Sequence, residues 1–197
     1  MQKFVKLAIA SVAALIFSPG AHALTELEGV PLEESVVING QKLVFNGAAV
    51  RKRGYFKTEV SALYLPQKTK DPEVIYKTNA IRYIRMTILR DLPSATASRF
   101  FIKEFTQNAS DTEARQLINE LGALGGAYGN INRISKGDIV EISWTPGKGM
   151  NAKYNGKYLS EQFINNPLCW TVYMRGYVGP NVTDAYRNGL LGVGLKD

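Results

Sequence analysis

Between residues 36 and 89 hydrophobic positions recur mostly every second residue, and between 94 and 121 every third or fourth. The first period predicts strands. Val36 to Ile38 and Lys42 to Phe45 flank Asn39-Gly40, a strong signal for a two-residue hairpin turn. A second pair, Asn46-Gly47, follows at once, then Ala48 to Arg51. A long strand is expected from Tyr55 to Leu65, ended by Pro66. Its more apolar face carries Phe56, Thr58, Val60, Ala62 and Tyr64, and is expected to meet the core, leaving Lys57, Glu59 and Ser61 on the other. Ala80 to Leu89 is a further strand.

The second period predicts helices. Ser94 is placed to cap one running to about Asn108, with Phe100, Phe101 and Phe105 on one side. Ser110-x-x-Glu113 is a capping box for the next, whose buried stripe would be Ala114, Leu117, Ile118 and Leu121. Gly122, Gly125 and Gly126 are expected to end it. Strands return at Asp138 to Trp144 and Met150 to Tyr154, around Pro146-Gly147-Lys148-Gly149, and again after Asn155-Gly156 at Lys157 to Leu159. A helix holding Phe163 is expected from Ser160, and a short last one from Thr183-Asp184 to Gly192. Strands, helices, strands and helices in that order, with hairpin turns throughout, describe an α+β domain with a mainly antiparallel sheet. Residues 24 to 34 have no clear period and are expected to be a lead-in segment.

The first 23 residues stand apart. Lys3 and Lys6 precede an apolar run of 11 residues, Leu7 to Phe17, then Ser18-Pro19-Gly20 and Ala21-His22-Ala23. This is the pattern of a cleaved signal peptide, and the run is shorter than the roughly 20 residues that span a bilayer. Cleavage after Ala23 and a periplasmic protein are expected, with residues 24 to 197 as one domain and no stable membrane insertion. Two of the 24 basic residues leave with the leader and none of the 17 acidic ones, which takes the formal net charge from +7 to +5. That basicity is too slight to argue for nucleic acid.

The cut also removes chemistry. The single histidine is His22, so imidazole catalysis and histidine metal sites are excluded from the mature chain. The single cysteine, Cys169, cannot form an internal disulfide, and between Leu168 and Trp170 it reads as a small buried residue. Glycine pairs fit neither a P-loop nor a dinucleotide fingerprint, and no acidic residues sit at metal-ligand spacing. No cofactor, metal or catalytic residue is assigned. Arg51-Lys52-Arg53 with Lys57 reads as a solvated edge at a turn. The remaining polar candidates are Arg51, Arg85, Glu59, Thr58 and the tyrosines; an arginine over an apolar pocket suits a carboxylate or an enolate oxygen.

Three stretches together resemble a known family. Phe45-Asn46-Gly47-Ala48-Ala49-Val50-Arg51-Lys52, Tyr55-Phe56-Lys57 and Ala62-Leu63-Tyr64-Leu65 are similar to the opening of chalcone-isomerase-like proteins. Ile88-Leu89-Arg90-Asp91 before a helix resembles the next segment of the secreted bacterial branch. Gly137-Asp138, Trp144-Thr145-Pro146-Gly147 and the late glycines Gly189 and Gly192 extend the likeness over residues 36 to 193. It implies the chalcone isomerase fold, a long antiparallel sheet with helices layered on one face and a cleft between them.

By position, the resemblance puts the family's cleft arginine on Arg51. It puts Glu59, with Thr58 beside it, where the isomerases have a threonine and the fatty-acid binders a tyrosine. Ala97 and Glu104 fall where the isomerases carry a tyrosine and an asparagine, and cyclisation needs that hydroxyl network. Arg51, Thr58 and Glu59 are therefore expected to bind a small apolar or fatty-acid-like anion without catalysis. An isomerase or intramolecular lyase acting on an unsaturated carbonyl substrate, or a protein-partner module without a ligand, are the alternatives. An isomerase needs an acid or base beside Arg51 in the cleft, and a partner module a filled cleft with a large exposed apolar patch. If Lys52-Arg53-Gly54 is a tight turn, Glu59 lies roughly 10–13 Å along the strand from Arg51 at ~3.3 Å per residue, and Arg51 is free for an anion. A bulge there would pair the two instead.

Overall fold

The computed structural model describes residues 23–129 and 131–194. The expected leader lies outside them, apart from its last residue, Ala23. In chain order the strands and helices are β1 (Ala23–Leu27), β2 (Val30–Glu33), β3 (Ser35–Ile38), β4 (Gln41–Arg53), β5 (Phe56–Leu65), α1 (Pro72–Lys77), β6 (Arg82–Ile88), β7 (Leu92–Pro93), α2 (Ser94–Gln107), α3 (Asp111–Gln116), α4 (Ile118–Gly129), β8 (Arg133–Ile134), β9 (Ile139–Thr145), β10 (Gly149–Tyr154), β11 (Lys157–Tyr158), α5 (Pro167–Val178) and α6 (Asp184–Leu190). Seven strands make one curled antiparallel sheet in the order β11-β10-β9-β6-β5-β4-β3. This is the expected α+β architecture.

Both faces of the sheet are covered. On one, Leu63, Leu65, Ile84, Met86 and Ile142 pack under the helices with Trp170 and Met174 of α5. On the other, Val60, Ala62, Tyr64 and Tyr83 form a smaller cluster with Phe45 and with Leu32 of β2. The β1–β2 hairpin turns at Glu28 and Gly29, both in the left-handed region, and lies against that second face. Residues 24 to 34 are thus a hairpin rather than a lead-in segment. The facing of β5 is corrected as well: Glu59, Ser61 and Leu63 look toward the helices, and the Val60–Tyr64 set meets the smaller cluster.

Asn39-Gly40 turns the β3–β4 hairpin with both residues at positive φ. Asn46-Gly47 instead forms a bulge inside β4, between the pairs Phe45–Tyr64 and Gly47–Leu63. The buried Asn46 amide donates to the Leu190 carbonyl at 2.8 Å and accepts from the Thr69 amide at 2.8 Å. A Cβ on Gly47 would stand 2.2 Å from the Gly189 carbonyl oxygen, so the glycine is what lets α6 close onto β4.

The helices differ from expectation in several places. Ser94 is the first helical residue rather than the cap, and its hydroxyl donates to the Asn132 carbonyl at 3.1 Å. The capping box at Ser110 and Glu113 is present, but that helix breaks at the buried Leu117, and the phase change leaves Ile118 exposed. The chain stays helical through Gly122, Gly125 and Gly126 because Leu124, Ala127 and Tyr128 bury the other face of α4. No helix starts at Ser160; α5 starts at Pro167, with the Asn166 side chain accepting from the Leu168 amide.

Candidate functional site

The β4–β5 hairpin closes at Gly54-Tyr55, with Arg53 opposite Phe56 and Lys52 opposite Lys57. The register then slips, and Arg51 faces Glu59, leaving Thr58 as the extra residue. The Thr58 hydroxyl donates to the Arg51 carbonyl at 3.2 Å. One bulged residue turns Glu59 onto the face that carries Arg51. The expected separation of the two is therefore wrong: Arg51 Nε donates to Glu59 Oε1 at 3.1 Å.

Arg51 is buried and makes further contacts. Nη2 donates to the Gly176 carbonyl of α5 at 2.8 Å, and the guanidinium packs against the rings of Tyr177 and Tyr186, 4.7 and 4.3 Å from their centroids. Burial works against its charge, but Tyr186, Glu59 and Tyr177 outweigh that and hold it more firmly protonated than usual. Glu59 also accepts from Ser61 at 3.2 Å, and Ser61 accepts from Tyr186 at 2.8 Å. Burial raises the Tyr186 phenol to about 12, so this chain of hydroxyls is neutral at ordinary pH.

Beside this cluster, between the sheet and α2, α4 and α5, is a cavity of ≈ 80 Å³. Thr58 and Glu59 line it, with Met86, Ile88 and Val140 from neighbouring strands. Phe101 of α2, Tyr128 of α4 and Tyr173 of α5 make its far wall, and burial pushes the Tyr128 phenol up to about 12. Arg51 does not line this space; its outer edge borders a wider cleft of ≈ 770 Å³ between β4 and α6. Ala97 and Glu104 also line the cavity.

Two further guanidiniums border the cavity at the hairpin end: Arg53, which is not at a solvated edge as expected, and Arg90, which the sequence did not single out. Arg53 is hydrogen-bonded to Glu104, has Glu59 Oε2 4.0 Å away, and stacks on Phe100 at 4.6 Å. Burial lowers its pKa. Arg90 is exposed and stacks on Phe56 at 3.9 Å. The signal for both was strand parity, since Arg53 shares a face with Arg51 and Arg90 follows Ile88 by two residues.

Other candidate groups have no chemistry of this kind. Cys169 is buried, and burial pushes its thiol up to about 12. Among the described residues no three His, Cys, Asp or Glu side chains gather as metal ligands, and no helix is long and apolar enough to cross a membrane.

A family model described as chalcone isomerase-like matches residues 24–192. The chain belongs to the chalcone isomerase-like family. No curated protein matches it by sequence. Among solved structures, a fatty-acid binding protein of Arabidopsis thaliana superposes with a TM-score of 0.63 at 12% identity, covering 80% of this chain and 96% of that one. At that identity the likeness shows a shared fold.

Proposed function

We propose that this member of the family is a non-catalytic binder of a slim apolar anion, such as a fatty acid, in the cavity between the sheet and α2, α4 and α5. The observation that carries the reading is the cavity itself, apolar within and bordered at one end by Arg53 and Arg90. The acyl chain would lie along Met86, Ile88, Val140 and Phe101, and the carboxylate would exchange with Glu104 for Arg53. Thr58 and Glu59 line the ligand space, and Arg51 acts through Glu59 by fixing its carboxylate. The ≈ 80 Å³ is small beside the ~300–1,000 Å³ of drug-sized sites, so α2 and its neighbours must give way for a full acyl chain to enter.

Binding is preferred over isomerisation because Arg51 has two edges committed to Glu59 and Gly176, Glu104 3.7 Å from its third nitrogen and two tyrosine rings packed beside it, so it has little left to polarise a carbonyl. The signal-peptide pattern of residues 1 to 23 supports a periplasmic setting for this binding. The name of the Arabidopsis neighbour agrees with the ligand class.

Calorimetric titration of laurate tests the reading. Saturable one-to-one binding is expected, weakened roughly tenfold or more in Arg53→Ala, in line with the ~1.5–3 kcal/mol of a charge-assisted hydrogen bond. Absence of saturable binding by the parent protein would refute it.

A further inference from the structure

The tip of the β4–β5 hairpin carries features that the ligand reading does not use. Tyr55 is fully exposed and Phe56 largely so, two adjacent aromatic rings at the end of a sheet. Beside them Lys52 and Lys57 lie directly opposite each other across the two strands. Like charges in that position work against the hairpin. Only Lys57 has an acidic partner, Glu28 at 2.6 Å; Lys52 and Arg90 make no ion pair among the described residues. Arg90 holds the face of Phe56 instead. Exposed aromatic rings flanked by unpaired cations match the headgroup region of an anionic bilayer, where amphipathic rings settle at the interface and lysines meet lipid phosphates.

We propose that this tip docks on the surface of an anionic lipid bilayer. The same end of the sheet opens the cavity: Arg53 and Arg90 border it, and they touch Phe100 and Phe56. Docking therefore turns the mouth of the cavity toward the lipid from which an apolar anion is drawn. The contact is peripheral, a few side chains deep, with the sheet remaining in water. It extends the ligand reading but stands on the tip alone.

The test places a reporter at the tip. The native tryptophans, Trp144 and Trp170, are both buried, so a Tyr55→Trp variant of the whole protein reports the tip. With phosphatidylglycerol vesicles its emission should shift to the blue and be quenched by brominated lipid; with phosphatidylcholine vesicles it should do neither. Association should fall about fivefold for each of Lys52→Gln and Lys57→Gln. It should also fall in Tyr55→Ser/Phe56→Ser, and be lost near 1 M salt, where the screening length is ~3 Å. An unshifted tip with anionic vesicles, equal association with neutral ones, or a shift caused by self-association without lipid would overturn the proposal. None of the four substituted residues lines the cavity, so their laurate binding in vesicle-free buffer should equal the parent's. A protein that docks but binds no laurate leaves the tip proposal standing and removes only the ligand reading.

Discussion

Replacing Arg51 by methionine keeps the length of the side chain and removes its charge. Glu59 is then left buried, with Ser61 as its one remaining close donor and Arg53 4.0 Å away. Breaking a buried pair from one side costs ~3–5 kcal/mol, because the surviving charge has lost its partner in a place water does not reach. At ~2–4 °C per kcal/mol for a domain of this size, the melting temperature of Arg51→Met should drop by roughly 6–20 °C. At a slope of ~2 kcal/mol per molar urea, the unfolding midpoint should drop by about 1.5–2.5 M, read from the fluorescence of the buried tryptophans. Glu59→Leu should lose a similar amount. The double variant Arg51→Met/Glu59→Leu should lose about 1–3 kcal/mol less than the sum of the singles, since an apolar pair leaves no orphaned charge. Midpoints of Arg51→Met within about 0.3 M of the parent, with additive singles, would mean that the pair does not form.

Gly47→Ala should destabilise the protein by ~1–3 kcal/mol in the same assay, because its Cβ would meet backbone carbonyls of α6 that cannot turn aside. Cys169 should not react with a disulfide reagent at pH 8 until the protein is unfolded in urea, since burial holds the thiol at about 12. The Glu113 carboxyl is held below its ordinary value, chiefly by the hydrogen bond from Arg175. Its contribution is therefore complete above the unfolded value of ~4.3 and lost as pH falls through the lower folded value. Urea midpoints between pH 6 and 3 should fall less steeply in Glu113→Gln than in the parent. Naringenin chalcone should cyclise no faster with the protein than without it, and a saturable rate that disappears in Arg51→Ala would contradict this.

Local signals with a backbone mechanism were legible in the sequence. Asn39-Gly40 and the Ser110–Glu113 capping box sit where their chemistry requires. Asn166-Pro167 carries an equally clear helix start, a side-chain cap followed by proline at the first helical position. What pattern could not give is which face of a doubly covered strand meets the larger core. Both faces of β5 are buried from Thr58 on, so alternation along it holds no preference. The site depended on one further residue. A bulge at Thr58 leaves no mark in hydrophobic periodicity, yet it converts a distant Glu59 into the partner of Arg51. With Arg51 so paired, Arg53 and Arg90 are the guanidiniums that border the cavity. The continuation of α4 through three glycines was hidden for a related reason, since it comes from packing against α2 rather than from propensity.

The central claim is that the space between the sheet and α2, α4 and α5 holds an apolar anion. Ala97 lines that space from α2 and is half-buried. Ala97→Phe fills it and leaves Arg51, Arg53, Glu59 and Arg90 in place. The most direct measurement is native mass spectrometry of delipidated parent and variant titrated with laurate. A one-to-one adduct with the parent, absent from an Ala97→Phe protein that still unfolds cooperatively, is the result expected. An adduct that persists unchanged in the filled variant, or none with the parent, would contradict the account.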